Sequence, residues 1–352
     1  MVKERIKKMS HYKPPLEGRS EKEYLLLDFN ERTTEPSEKI KEALKKFLDS
    51  DRLQVYPEYG DLEAKIAEYV GVPTGEIMVT NGGDQGIDII CRAHLDTGDK
   101  VIIPFPAFAM HYQSAGIQGA EILESAYNKD TGEFPLKETL DLISQNEGIK
   151  LIILCNPNNP LGSSIPIPDV EKILKKAKGK KIAVLHDEAY FEFSGITVKD
   201  LIEKYDNLYI MRTFAKAFGL VSTRAGYLIS REENIQELLK IRGPYDVNMF
   251  AKTAILAALE DTKCMEDYVK EVMEKSKPKL ERFLKEKGIF FYPSATNFLF
   301  LKVSNPQEII ESLKSKGILV RPKKGPDGKE GIRVSVGTLE DTERFVRAFS
   351  EI

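Results

Sequence analysis

Residues 151–162 read Leu151-Ile152-Ile153-Leu154-Cys155-Asn156-Pro157-Asn158-Asn159-Pro160-Leu161-Gly162. The first five are apolar without interruption, whereas a strand with one wet face alternates apolar and polar residues. A short continuous run is typical of a strand buried on both faces, as in parallel sheets that helices cover. The run therefore predicts an inner strand, and the Asn- and Pro-rich segment after it predicts a rigid polar loop.

Four more apolar runs of the same kind lie on either side of this one. They occupy residues 77–80, 101–104, 182–185 and 208–211. Stretches with helical periodicity separate the runs, and amphipathic segments at 38–50 and 61–70 precede them. This alternation predicts an α/β fold, with a mostly parallel sheet flanked by helices.

The pattern changes at Gly243-Pro244. Helical sequence follows to about residue 287, and then short strands and helices predict a smaller α+β domain. The first residues are polar and are interrupted by Pro14-Pro15, which is typical of an arm lying on another surface. Segment 323–329 is predicted to be a solvated hairpin loop. The predicted parts are an N-terminal arm packing on the small domain (1–35), a large cofactor-binding domain (36–243) and a small C-terminal domain (244–352).

Composition argues against several classes of protein. The 352 residues include 52 Lys and Arg against 55 Asp and Glu, a net charge of -3, whereas proteins that bind nucleic acid through bulk charge are strongly basic. No apolar run approaches the ~20 residues that span a bilayer, and the first residues lack a signal peptide, so we expect a cytoplasmic protein. The three cysteines are widely spaced and neither H-E-x-x-H nor C-x-x-C occurs, so we expect neither a disulfide framework nor a metal site.

Ligands of open α/β sheets bind beyond the carboxyl ends of the strands, so residues that follow the predicted strands are candidates for chemistry. Gly82 and Gly83 follow the first strand and would expose backbone N–H groups that can hold a phosphate, although alone they indicate an ordinary turn. Phe108, after the second strand, could stack on a planar ligand or belong to the core. The amides of the loop 156–162 could donate hydrogen bonds to a ligand oxygen.

The last two strand ends carry charged side chains in apolar surroundings. Asp187 closes a buried strand, which is costly unless a cation or a donor meets the carboxylate. His186 lies on the opposite face of that strand and is interpreted as structural. Lys216 stands between Ala215 and Ala217, so we expect its amine to have a lowered pKa and to supply the free base that Schiff-base chemistry requires.

Together these groups match the functional groups of pyridoxal 5'-phosphate. That cofactor needs an amine for its aldehyde, an acid for its ring nitrogen, donors for its phenolic oxygen and a nest for its phosphate. From about Asp28 to the C-terminus, the sequence resembles fold-type I, class I/II pyridoxal-phosphate aminotransferases, most closely the histidinol-phosphate aminotransferase branch. The motifs that carry the resemblance are Asn156–Gly162, Asp187–Phe193, Arg212–Gly219 and Arg224–Tyr227.

The resemblance implies transfer of an amino group between histidinol phosphate, or a related amino acid, and 2-oxoglutarate. It implies that Lys216 forms the internal aldimine and moves the proton, and that Asp187 keeps the ring nitrogen protonated. The other implied cofactor contacts are Phe108 on the ring, Tyr190 and Asn159 at the phenolic oxygen, and Gly83, Asp84, Thr213 and Arg224 at the phosphate. The implied substrate residues are Arg333, Arg321 and Asn30.

The resemblance also implies a homodimer, because Tyr56 matches a tyrosine that reaches the phosphate in the neighbouring subunit. The chain departs from the family at three places. Ala215 replaces a serine and removes a hydroxyl near the phosphate, and Leu161 replaces a threonine, which indicates a packing change. Residues 29–36 replace the branch's Asn-Glu-Asn-Pro in the loop that closes over the substrate side chain.

Other functions fit parts of the same pattern. L-threonine O-3-phosphate decarboxylases share the fold and nearly all these motifs, and aromatic amino-acid aminotransferases share the scaffold. A pyridoxal-phosphate-sensing transcription regulator would need a helix-turn-helix domain, for which the roughly 30 residues before Asn30 leave no room. A nicotinamide dehydrogenase is disfavoured, because no G-x-G-x-x-G opens a helix after the first strand.

Overall fold

The computed structural model describes residues 1–16, 18–19 and 24–352. The strands of this part of the chain are β1 (Leu25–Leu26), β2 (Ile77–Thr80), β3 (Lys100–Ile102), β4 (Glu121–Leu123), β5 (Ile149–Cys155), β6 (Ala183–Asp187), β7 (Leu208–Thr213), β8 (Gly226–Ile229), β9 (Phe290–Phe291), β10 (Phe298–Lys302), β11 (Ile318–Leu319), β12 (Arg321–Lys324) and β13 (Glu330–Ser335).

The α-helices are α1 (Glu4–Lys7), α2 (Glu38–Leu48), α3 (Leu62–Val70), α4 (Gly82–His94), α5 (Ala109–Gln118), α6 (Leu136–Gln145), α7 (Ile167–Gly179), α8 (Phe191–Ser194), α9 (Glu232–Leu239), α10 (Met249–Leu259), α11 (Thr262–Glu271), α12 (Lys277–Glu286), α13 (Pro306–Ser315) and α14 (Leu339–Ser350). Short 3-10 turns occupy Thr74–Glu76 and Lys199–Leu201, and a π-helical turn, Val272–Ser276, joins α11 to α12. Within the described residues, no helix is long and apolar enough to cross a membrane.

A seven-stranded sheet forms the centre of the molecule, in the order β2-β8-β7-β6-β5-β3-β4. Neighbouring strands are parallel except at β8, which is antiparallel to both β2 and β7. The predicted α/β class and mostly parallel sheet are confirmed. The five apolar runs became β2, β3, β5, β6 and β7, whereas the short edge strand β4 and the antiparallel strand β8 were not predicted.

Strand β5 shows why these runs are continuously apolar. Leu151 and Ile153 belong to one apolar cluster, which also contains Ile87 of α4. Ile152 and Leu154 belong to the other cluster, on the opposite face of the sheet. All four side chains are buried, and each such burial contributes about 1.5–3 kcal/mol. A polar side chain at any of these four positions would be buried, because both faces of the strand are covered by apolar clusters.

A second sheet is antiparallel throughout, in the order β12-β13-β10-β9. In it, Arg321 lies directly opposite Arg333. A separate parallel pair joins β1 to β11, with Leu25 opposite Ile318, so Leu25 and Leu26 are held against the C-terminal part of the chain.

The predicted solvated loop 323–329 is wrong at its first two residues. Lys323 and Lys324 continue strand β12 and pair with Gly331 and Glu330. Pro322 does not stop this strand, because β12 is at the edge of its sheet, where a residue without an N–H group is tolerated. Only residues 325–329 form the turn, so Lys323 is fixed in a strand beside the candidate site.

Candidate active site

A cavity of about 450 Å³ lies at the carboxyl ends of β2, β3, β5, β6 and β7. It is also lined by residues of the N-terminal arm and of the second sheet. The predicted site residues that line it are Asn30, Gly83, Asp84, Phe108, Asn159, Asp187, Tyr190, Thr213, Lys216, Arg224, Arg321 and Arg333. Tyr56 is not among the described residues that line the cavity.

The amine of Lys216 lies in the turn after β7. Its Nζ donates a hydrogen bond to the carbonyl oxygen of Phe29, at 2.9 Å. Burial and the positive charge of Arg333 lower the pKa of Lys216 to about 8, against the opposing charges of Glu31 and Asp84. Near neutral pH, this lysine therefore supplies much more free amine than an exposed lysine does.

In the cofactor-free protein, Lys216 is expected to react with an amine-directed reagent, such as acetic anhydride, with a midpoint near pH 8. Only the deprotonated amine reacts, so the rate rises as pH passes the lowered pKa. Competitive labelling followed by peptide mass spectrometry measures this for single lysines. Lys204 is the control, because its hydrogen bond to Glu171 raises its pKa. Identical pH profiles for the two lysines would contradict this environment for Lys216.

Asp187 is held at both of its carboxylate oxygens. Oδ1 accepts a hydrogen bond from the N–H of Ala189 at 3.0 Å, and Oδ2 lies 2.9 Å from Nε2 of His111. Both Asp187 and His111 are buried. These contacts fix the carboxylate at the end of β6, where it faces the cavity.

His111 was not among the predicted site residues. A signal was present, because His111 follows Phe108 by three residues at the start of α5, where that spacing puts two residues on one helix face. The two rings meet edge to face, with centroids 5.7 Å apart. Phe108 thus has a supported ring at the cavity wall.

A hydrogen-bond network connects the phenol of Tyr190 to the second sheet. Its oxygen accepts from Nδ2 of Asn30 at 2.9 Å and from Nδ2 of Asn159 at 3.2 Å. Arg333 donates through Nη1 to Oδ1 of Asn159 at 2.7 Å and through Nη2 to the carbonyl of Asp28 at 2.6 Å. Burial raises the pKa of the Tyr190 phenol. The phenol therefore keeps its proton and can donate it in a hydrogen bond to a ligand.

The N-terminus of α4 opens on the same cavity, through Gly83 and Asp84 of its first turn. A Cβ atom at position 83 would lie 2.7 Å from the sulfur of Met211, so glycine lets the helix approach β7 this closely without displacing that side chain. Arg224, in a left-handed conformation with φ 56°, donates from Nη2 to Oδ2 of Asp84 at 3.1 Å. Helix N–H groups beside an arginine form a site that suits a phosphate.

Thr213 lies at the end of β7 and also lines the cavity. Its hydroxyl donates to the carbonyl of Ala225 at 3.2 Å and accepts from the N–H of Ala215 at 3.1 Å. Ala215 itself lines the cavity without a hydroxyl. Leu161, the other single-residue departure, is fully buried in an apolar cluster with Tyr127, Tyr292 and Phe300.

In the loop 29–36, the charged side chains of Glu31 and Arg32 face different parts of the structure. Glu31 lines the cavity and pairs with Arg19 of the arm. Arg32 turns to another surface, where its guanidinium lies 4.7 Å from the ring centroid of Tyr268. The loop thus contributes Phe29, Asn30 and Glu31 to the cavity wall.

Tyr56 lies on the surface with 72% of its area exposed. Its ring packs on that of Tyr245, with centroids 4.4 Å apart. Leu53, Val55 and Tyr245 are also exposed. Tyr56 is therefore part of an uncovered apolar patch of this single chain.

Further lining residues were not among the predicted site residues, although Phe29 and Glu31 belong to the loop expected to close over the substrate and Ala215 was expected near the phosphate. They are Tyr12, Pro14, Leu16, Phe29, Glu31, Met110, Cys155, Ala189, Met211, Ala215, Val221 and Lys323. The arm residues have no periodicity that would have revealed them. Lys323 had a signal, since it follows Arg321 by two residues, the spacing of side chains on one strand face.

The described geometry can be set beside known proteins. A family model, described as aminotransferase class I and II, matches residues 22–349. The chain belongs to this family. It is therefore a transaminase, and the predicted family is confirmed. The chain is 34% identical to the histidinol-phosphate aminotransferase of Thermoanaerobacter sp. (strain X514), over 100% of this chain and 98% of that protein. It is also 34% identical to the histidinol-phosphate aminotransferase of Staphylococcus carnosus (strain TM300), over 98% and 97%.

Solved structures share the fold of this transaminase. Histidinol-phosphate aminotransferase from Sinorhizobium meliloti, in complex with pyridoxal-5'-phosphate, has a TM-score of 0.87 at 23% identity and covers 99% of this chain and 96% of its own. L-threonine-O-3-phosphate decarboxylase from Porphyromonas gingivalis has a TM-score of 0.77 at 21% identity, covering 93% and 98%. At these identities the likeness concerns the fold, and it agrees with the predicted fold type I.

Proposed function

We propose that this transaminase uses pyridoxal 5'-phosphate to transfer an amino group from histidinol phosphate, or a closely related donor, to 2-oxoglutarate. One observation supports this proposal most directly: the amine of Lys216 and the guanidinium groups of Arg321 and Arg333 line the same cavity. The amine can react with the aldehyde of the cofactor, and the guanidinium groups can bind an anionic substrate. The relatives named histidinol-phosphate aminotransferase, which match along the whole chain, support the choice of donor.

The residues present fit the cofactor. The N–H groups at the N-terminus of α4, with Arg224 beside them, would bind its phosphate. Asp187 would pair with its ring nitrogen, Tyr190 would donate to its phenolic oxygen, and Phe108 would stack on its ring. When bound, pyridoxal phosphate supplies a reactive aldehyde and a ring that accepts electron density from the substrate.

Lys216 has two tasks in the proposed reaction. Its free amine would hold the cofactor through the aldehyde carbon. Once the donor's amine had displaced it, Nζ would move a proton from the donor's α-carbon to that aldehyde carbon. The pKa near 8 suits both tasks, because a base works best when its pKa lies close to the working pH. The hydrogen bond to the carbonyl oxygen of Phe29 holds this amine in the cavity.

The anionic part of the substrate would bind at the second sheet. Arg333 already donates both terminal nitrogens, to Asn159 and to the carbonyl of Asp28. Arg321 stacks on Phe29, with its guanidinium carbon 4.8 Å from the ring centroid. Its Nη1 is buried and has no hydrogen-bond partner among the described residues. This unpaired donor supports binding of an acceptor-rich group carried by the substrate.

Decarboxylation of O-phosphothreonine is the second candidate. It is favoured by the same unpaired Arg321, which would serve any phosphorylated amino acid, and the fold is shared with the P. gingivalis decarboxylase. Aromatic amino acids are the third class of substrate to be tested.

Single-turnover experiments separate these candidates. The purified enzyme would be mixed with histidinol phosphate, phenylalanine, tyrosine, glutamate or O-phosphothreonine, and conversion of the cofactor followed by absorbance together with carbon dioxide release. We expect histidinol phosphate to convert the cofactor fastest, without carbon dioxide. Release of carbon dioxide from O-phosphothreonine would favour the decarboxylase, and faster conversion by phenylalanine would favour an aromatic donor.

We also propose that the enzyme is a homodimer in which Tyr56 completes the neighbouring site. The exposed patch around Tyr56 supports this, since patches of large apolar side chains commonly mark interfaces. A mixture of inactive Lys216→Ala and weakened Tyr56→Ala chains is expected to regain activity after exchange of subunits, because one site in each hybrid dimer has both residues. No gain over the separate variants, in a dimer shown to exchange, would contradict shared sites.

Two further features remain proposals. We propose that the chain is organised as arm 1–35, large domain 36–243 and small domain 244–352. The seven-stranded sheet lies between residues 77 and 229 and the antiparallel sheet between 290 and 335, which supports this division. Two unfolding transitions in calorimetry are expected, and a single cooperative transition would contradict it.

We also propose a cytoplasmic location, supported by three free cysteines, of which Cys91 and Cys155 are buried. Recovery of the native protein outside the cytoplasmic fraction of its own cells would contradict this location.

A further inference from the structure

Three cations lie on one face of the antiparallel sheet. Arg321 and Lys323 are two residues apart on β12, and Arg321 is directly opposite Arg333 on β13. Side chains two apart on a strand share a face, as do directly opposed residues on neighbouring strands. All three residues line the cavity.

The acidic residues of this cavity are engaged elsewhere. Asp84 pairs with Arg224 and Glu31 with Arg19, and Asp187 lies within hydrogen-bond distance of His111. Within the described residues, Lys323 has neither a hydrogen bond nor an ion pair, and Arg321 has no acidic partner. Nε of Arg333 and Nη1 of Arg321 are likewise buried without a partner there. Among the residues that the structure describes, the cluster of Arg321, Lys323 and Arg333 is therefore an excess of positive charge on one wall.

Burial and mutual repulsion make the positive charges on this wall unfavourable, and a bound anion would reduce that repulsion. Burial and the neighbouring Arg333 and Arg321 lower the pKa of Lys323 to about 7. A bound anion would favour the protonated form of Lys323. One arginine satisfies a carboxylate through two parallel hydrogen bonds, whereas a phosphate monoester has up to two negative charges and three acceptor oxygens. The number of cations therefore fits a phosphate better than a carboxylate.

We propose that Lys323 is a specificity-determining residue that, with Arg321, binds the phosphate monoester of the amino donor. This assignment rests on the proposed function and extends it to a residue whose sequence context predicted only a solvated loop. Lys323 provides the additional positive charge that distinguishes a phosphorylated donor from an unphosphorylated one.

Three variants test the assignment. Lys323→Met removes the charge with little change in side-chain length, and Lys323→Arg keeps it. Lys324→Met is the matched control, because Lys324 is the next residue on the same strand, points to the opposite face and is exposed. Each holoenzyme would be assayed with histidinol phosphate and with phenylalanine, which has neither a phosphate nor another anionic group in its side chain. Equilibrium binding of propyl phosphate, which has no amine to react, gives a readout that does not depend on turnover.

For Lys323→Met we expect kcat/KM for histidinol phosphate to fall about 10- to 100-fold, mainly through KM, because a charge-assisted hydrogen bond is lost. Phenylalanine kinetics should change by less than about threefold, and the Kd of propyl phosphate should rise about tenfold. Lys323→Arg should retain most of the binding, and Lys324→Met should resemble the wild type.

Equal losses with both donors, or unchanged use of histidinol phosphate by Lys323→Met, would overturn the role of Lys323 alone. A wild-type enzyme that uses glutamate but neither histidinol phosphate nor O-phosphothreonine would overturn the proposed function, and this assignment with it. The wild-type assay therefore separates the two failures.

Discussion

Replacement of Lys216 by alanine is expected to lower the transamination rate by about 10⁴-fold or more. The side chain is the proposed nucleophile and the proposed proton carrier, and acid–base catalysis alone typically contributes about 10²–10⁴-fold. Its surroundings support both tasks, since burial lowers the pKa of the amine to about 8 and Phe29 holds the nitrogen at 2.9 Å. Steady-state turnover with histidinol phosphate and 2-oxoglutarate measures the effect.

Two controls distinguish lost chemistry from lost structure. Lys216→Arg keeps a positive charge but has no free base near neutral pH, so it should be almost as inactive as the alanine variant. Lys204→Ala removes an exposed lysine and should leave turnover unchanged. Borohydride should link the cofactor covalently to the wild type and not to Lys216→Ala. Wild-type turnover by Lys216→Ala would refute the assigned role.

Replacement of Asp187 by asparagine is expected to reduce kcat by about 10²–10³-fold with little loss of fold stability. Asparagine has the same shape and can still accept from the N–H of Ala189, but it has no charge to stabilise a proton on the ring nitrogen of the cofactor. Loss of one preorganised electrostatic interaction typically costs a factor of this size. The measurements are kcat, the Kd of the cofactor and the thermal unfolding midpoint.

His111→Gln is the companion variant for Asp187. Glutamine can offer one donor to Oδ2 of Asp187 but lacks the imidazole ring that supports Phe108. We expect a smaller fall in kcat, of about tenfold, because the carboxylate charge remains. A kcat for Asp187→Asn within about threefold of the wild type would show that this carboxylate is not needed for the reaction.

Much of the fold follows from residue patterns that act locally. The run Leu151–Cys155 is apolar at every position because its alternate side chains enter two different cores, and this predicted a covered, mostly parallel sheet. Strand β8 was harder to predict. Gly226–Ile229 comes soon after the site residue Arg224, and its place between β2 and β7 depends on pairing with residues 77–80, far away in the sequence.

In the candidate site, too, some residues could be predicted from the local sequence, whereas others are brought together only by the tertiary structure. Lys216 and Asp187 could be predicted because burying a charged side chain next to an apolar strand costs free energy unless a partner or ligand compensates for it. His111 meets Asp187 across 76 positions of sequence, and Asn30 meets Tyr190 across 160. No local spacing relates such pairs, so their hydrogen bonds could not be predicted from composition or periodicity.

Lys323 shows most clearly where sequence reasoning ends. Its neighbours, rich in lysine, glycine and proline, have the composition of a solvated turn. Residues 325–329 do form the turn, but only 327–329 are exposed, whereas Gly325 and Pro326 are buried. The family, the fold class and half of the residues that line the cavity followed from strand patterns and short motifs, because these depend on neighbours along the chain. The convergence of Arg321, Lys323 and Arg333 without an acidic partner among the described residues was decided by the folded chain, since strand register and the pairing of distant acids set the local charge.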